Sequence, residues 1–221
     1  MTKLAADISK CYDLADRLRE LGVGEIAILD TNVIIQGAFP RYRPHKPYQQ
    51  PLNSNWQAEV KDPRAIVNWL KNWHTMQVPV APVITNVVTG EVYGVHQGIW
   101  HKTGPVSNLL SNLEESSSAF YVSLYSRNIA LNKKILDDFV KYSNEEADSN
   151  DARILASAYM LCKRTGLNVT IVSANKRDFS PELQEALIAR KRKDGRYIRF
   201  EAPADFRQRL GLPDAKKVNG K

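Results

Sequence analysis

The chain has 221 residues and a net charge of +7, from 31 Lys and Arg against 24 Asp and Glu. That length suits one α/β domain with a decorated periphery, and the charge favours a polyanionic partner through counterion release. Only Cys11 and Cys162 are present, far apart, which excludes a disulfide framework and a cysteine zinc site, and no stretch reaches the roughly 20 apolar residues of a spanning helix. These features lead us to expect a soluble protein of a reducing, cytoplasmic compartment, with no membrane association.

Residues 1–24 read as an N-terminal packing helix, because Leu4, Ile8, Cys11, Leu14, Leu18 and Leu21 recur at spacings of three and four before Gly22. Glu25-Ile26-Ala27-Ile28-Leu29-Asp30 is a short aliphatic run ending in a carboxylate, the pattern of a buried parallel strand. Periodicity is then lost over residues 36–56, where Pro40, Pro44, Pro47 and Pro51 stand among Arg41, Tyr42, Arg43, His45, Lys46 and Tyr48. A loop of that length often marks function. Ala65, Ile66, Trp69, Leu70 and Trp73 return to helical spacing, and residues 77–80 read as extended.

The β-branched segment 82–95, interrupted by Thr89-Gly90, fits a hairpin and a helix alike. Leu109, Leu110, Leu113, Phe120, Tyr121, Leu124, Ile129, Leu131, Ile135, Leu136, Phe139 and Val140 predict two or three helices over residues 106–142. Residues 151–163 form a strong helical pattern with Ser149 or Asn150 as its N-cap, which puts Asp151 in the first turn. Val169 to Ser173 predicts a second buried strand. A helix over residues 181–189, a short strand over 197–200 and a closing helix over 203–210 follow, with a polar tail at 213–221. The alternation of strands and helices predicts an open parallel sheet wrapped by helices, which binds ligands beyond the carboxyl ends of its strands.

Asp30 falls at such an end, Asp151 opens a helix, and Asp178 follows the strand that ends at Ser173. Each has an ordinary use as a cap or dipole partner. Brought to one rim they would repel, unless a cation neutralised them. Mg²⁺ or Mn²⁺ takes oxygen ligands from a few carboxylates, keeps several waters, and suits phosphodiester hydrolysis. His45, His74, His96 and His101 form no triad or zinc pattern.

These residues resemble the PIN-domain family over positions 25–212. Ile28-Leu29-Asp30-Thr31-Asn32-Val33-Ile34-Ile35 is similar to its first-strand signature, and Asn150-Asp151-Ala152-Arg153-Ile154-Leu155-Ala156-Ser157-Ala158 to its acidic helix start. Val172-Ser173-Ala174-Asn175-Lys176-Arg177-Asp178-Phe179 resembles the final motif, and Ala202-Pro203-Ala204-Asp205-Phe206 the closing helix. The resemblance implies a three-layer α/β/α sandwich with a central, mostly parallel sheet. It also implies an endoribonuclease that hydrolyses RNA phosphodiester bonds, leaving a 5′-phosphate and a 3′-hydroxyl.

On that resemblance Asp30, Glu91, Asp151 and Asp178 are the catalytic, metal-holding carboxylates, supported by Thr31, Asn32, Ser173 and Asn175. In a hairpin Glu91 would give way to Glu114 or Glu115. Asn175 stands where many members carry Asp, which removes a charge from the site. Arg41, Arg43, His45, Lys46 and Tyr48, with Lys176 and Arg177, are expected to hold phosphates and stack on bases of RNA, and the run 190–193 fits an RNA contact or a solvated face equally. A homodimer and an inhibitory or recruiting protein partner also fit the family.

Other readings compete. A haloacid-dehalogenase-like phosphohydrolase needs an acid where Asn32 stands. A catalytically degenerate PIN-like module would bind RNA or a protein without cutting, and a toxin of a toxin–antitoxin pair is a role within the nuclease reading.

Overall fold

The structure, a computed structural model, describes residues 5–7, 11–38, 60–76, 78–88, 90–92, 120–123, 133–143, 149–175, 179–189 and 195–214. Its strands are β1 (Ala5–Asp7), β2 (Glu25–Leu29), β3 (Val80–Thr85), β4 (Phe120–Ser123), β5 (Asn168–Val172) and β6 (Ile198–Glu201). Its helices are α1 (Cys11–Glu20), α2 (Thr31–Ala38), α3 (Lys61–Asn72), α4 (Lys133–Tyr142), α5 (Asn150–Thr165), α6 (Pro181–Ala189) and α7 (Pro203–Arg209).

The strands form one six-stranded sheet in the order β1-β4-β3-β2-β5-β6, with every neighbouring pair parallel. β2 and β3 are buried at every position, as parallel strands covered on both faces are. Helix contacts divide into two sets. α1, α4, α5 and α6 pack in series, while α3 packs against α2 and α7. The result is a three-layer α/β/α sandwich. Its core joins Ile26, Ile28, Val83, Ile171, Leu155 and Trp69, all fully buried.

Helix contacts and ends follow from local chemistry. α2 crosses α3 at Gly37, where a Cβ would collide with the Pro63 carbonyl and the Val67 side chain, so only glycine allows this approach. α5 opens on the Ser149 hydroxyl, which accepts from the Ala152 N–H at 3.2 Å, and closes on Gly166 at φ 73°.

Four expectations need correction. Residues 1–24 are not all helix, because Ala5–Asp7 pair with Tyr121–Ser123 as the edge strand β1. A three-residue strand carries too little pattern to outweigh helical spacing. Phe120–Ser123 is likewise strand β4, filling the place between β1 and β3, where the sequence pattern suggested helix. The extended run starts at Val80 and continues through Pro82 to Thr85. At Pro82 the strand is paired with β2, whereas its pairing with β4 begins only at Val83, so a residue without an N–H is accommodated. Finally, the chain stays helical to Ala38, past the expected loop start at 36.

Candidate active site at the carboxyl ends of the sheet

Asp30 directly follows β2 and is the N-cap of α2, its carbonyl accepting from the Val33 and Ile34 N–H groups. It thus holds the N-cap position through its backbone, which leaves its side chain to the rim. The side chain is only 3% exposed. Its Oδ2 accepts from the Ser173 hydroxyl and from the Asn32 amide, both at 2.6 Å. Burial, reinforced by the neighbouring Glu91 carboxylate and opposed by these hydrogen bonds, raises the Asp30 pKa from 3.8 to about 6.

The open choice at residues 82–95 is settled for its first part. Residues 86–88 and 90–92 are helical, the Thr85 hydroxyl accepts from the Val88 N–H at 3.4 Å, and Val88 and Val92 are buried one turn apart. Glu91 thus lies on a helix directly after β3. Its carboxylate is held from two sides, by the Thr31 hydroxyl at 2.6 Å and the Asn150 amide at 2.7 Å. Thr31 and Asn32 are the first residues of α2.

Asp151 lies in the first turn of α5, half-buried, and accepts from the Asn175 amide at 3.4 Å. Asn175 is itself anchored, its backbone N–H donating to the Ser173 hydroxyl at 2.9 Å. The Asn32 side-chain oxygen accepts from the Ala174 N–H at 3.1 Å, tying α2 to the turn after β5. The fold therefore links Asp30, Glu91 and Asp151 through Thr31, Asn32, Asn150, Ser173 and Asn175.

Asp178, Lys176, Arg177, Arg41, Arg43, His45, Lys46, Tyr48, Glu114, Glu115 and the run 190–193 lie outside the described residues. Among the described residues no group of three or more His, Cys, Asp or Glu side chains forms a ready metal cluster. The donor chemistry nonetheless fits a hard divalent cation. Asp30 is desolvated and in electrostatic conflict with Glu91, and the hydrogen-bond partners named for both are neutral. A cation would relieve both penalties.

Asn150, a helix-cap candidate from the sequence, instead reaches Glu91, while Ser149 caps the helix. Its adjacency to Asp151 was the available signal. Beside the rim, Ser173, Asn175, Phe179, Ser180, Pro181, Gln184, Glu185, Phe200, Glu201 and Ala202 line a cleft of about 420 Å³ that no motif announced.

The fold and site together define an all-parallel α/β sandwich with an acidic rim at its strand ends. No family model matches the chain, and no curated protein or solved structure does either. The likeness to PIN domains rests on the chain's own motifs. No helix among the described residues is long and apolar enough to cross a membrane.

Proposed function

We propose that this protein is a PIN-type, metal-dependent endoribonuclease acting on RNA. The observation that carries the reading is the buried Asp30 beside Glu91, with only hydroxyl and amide groups as named partners, at the ligand-binding end of a parallel sheet. Asp30, Glu91 and Asp151 would hold Mg²⁺ or Mn²⁺, with Asp178 as a further candidate. Such an ion, when bound, acidifies its water and stabilises charge developing on phosphate oxygens.

The chain's own residues prepare that chemistry. Ser173 and Asn32 fix the rotamer of Asp30, and Thr31 with Asn150 clamp Glu91, so the carboxylates need little reorganisation. Asn175 orients Asp151 and adds no charge of its own. The net charge of +7 supports a polyanionic substrate.

The test is cleavage of labelled single-stranded and structured RNA pools with Mn²⁺, Mg²⁺ or EDTA, comparing the wild type with Asp30→Asn and Asp151→Asn. Metal-dependent cutting lost in both variants is expected. RNA binding without any cutting by the wild type would replace the nuclease with a non-catalytic binding module.

A further inference from the structure

The cleft beside the acidic rim lies between the turn after β5, the first half of α6 and the end of β6. Ser173 and Asn175 belong both to its wall and to the network around Asp30 and Asp151, so an occupant would lie next to any group held at the rim. Its volume of about 420 Å³ falls in the range of small-ligand sites, roughly 300–1,000 Å³.

The lining selects the chemistry of the occupant. Phe179 and Phe200 contribute a stacked aromatic pair, with centroids 4.5 Å apart and planes 26° from parallel. Gln184 spends its side-chain oxygen on the Phe200 N–H at 2.8 Å, which fixes the amide so that its NH₂ is the end left to donate. Of the two lining carboxylates, Glu185 is exposed and Glu201 is paired with Arg199 and Arg209 at 2.9 Å. A stacked aromatic surface beside a fixed amide donor suits a flat ring with a polar edge.

We propose that this cleft binds one unpaired nucleobase of the RNA, stacked on the Phe179–Phe200 pair and hydrogen-bonded by Gln184, with its phosphate directed towards the rim. The assignment rests on the ribonuclease reading for its substrate class. It adds that a single base beside the cut contributes to recognition, through stacking and a polar edge.

The experiment walks an abasic nucleotide through a fluorescein-labelled, ten-nucleotide single-stranded RNA and measures binding in EDTA by anisotropy. The full chain is compared with Gln184→Ala and Gln184→Glu, the latter keeping the acceptor for the Phe200 N–H. The expected result is one position where base removal weakens wild-type binding about tenfold, with that loss reduced to under about threefold in both variants, as coupled sites require. Circular dichroism melts confirm that Gln184→Glu is folded. A flat abasic profile, or an equal loss in wild type and variants, overturns the proposal. Cleavage of the intact RNA with Mn²⁺ is scored in parallel. Cutting with a flat profile removes the base site alone, a position-specific profile without cutting removes the nuclease alone, and no binding removes both.

Discussion

Strand β2 begins with one buried carboxylate and is followed directly by another, and the two are treated in opposite ways. Glu25, at its start, accepts from Arg199 at 3.0 Å, from Arg209 at 2.7 Å and from the Thr170 hydroxyl at 2.7 Å. Both guanidiniums also reach Glu201 at 2.9 Å, closing a network of two acids and two bases. Burial opposes the Arg209 charge, but Glu25 and Glu201 outweigh it and raise its pKa. Asp30, just past the other end, has only hydroxyl and amide partners named, faces a second carboxylate, and is raised to about 6. One acid is neutralised by the chain itself and ties β2, β6 and α7 together. The other keeps a charge that the described residues leave uncompensated, the arrangement expected of a site that serves a ligand at the expense of stability.

The contrast can be broken by mutation, and the largest effect is expected in activity. On the nuclease reading, Asp30→Asn and Asp151→Asn each lower the Mn²⁺-dependent RNA cleavage rate on the order of 10²- to 10³-fold, whereas Glu25→Gln leaves it within about threefold at a temperature where the variant is folded. Equal losses at both ends of β2 would erase the distinction.

In stability the two ends should move in opposite directions. Glu25→Gln strips the buried partner from two guanidiniums and costs about 3 kcal/mol in urea unfolding at pH 7.5. Asp30→Asn, in metal-free buffer at the same pH, instead gains ~1–3 kcal/mol, because the rise from 3.8 to about 6 is a penalty of that order on the charged form. The sign with pH follows. The folded state binds the Asp30 proton more tightly than the unfolded chain, so its contribution is complete below about pH 4 and is lost as pH rises to about 6. The advantage of Asp30→Asn should therefore vanish as pH falls from 7.5 to 4.

Metal sharpens the same contrast. Mn²⁺ at a hundredfold excess over its Kd should stabilise the wild type by about 2.7 kcal/mol and Asp30→Asn by much less, read as a shift in Tm. The smallest effect is expected at the clamp on Glu91. Asn150→Ala removes the 2.7 Å bond from an exposed side chain, so cleavage should fall about tenfold with unfolding free energy changed by under about 0.5 kcal/mol. A stability loss as large as that of Glu25→Gln would make Asn150 a structural residue.

The sequence by itself determined the elements whose signal is local. β2 and β5 were legible because their buried aliphatic runs are bounded by turn chemistry, and α5 because Ser149 and Gly166 mark its two ends. Asp30, Asp151, Ser173 and Asn175 were legible as candidates because each stands where a buried strand or helix begins or ends. Tertiary structure decided what depends on distant partners. β4 exists because it pairs with β3 and β1 because it pairs with β4, Pro82 sits in a strand because of where β4 begins to pair, and Glu91 meets Thr31 and Asn150 across some 60 residues of chain. The opposite fates of Glu25 and Asp30 were decided there too, since a carboxylate's charge depends on what folding packs around it, and Arg199 and Arg209 lie more than 170 residues from Glu25.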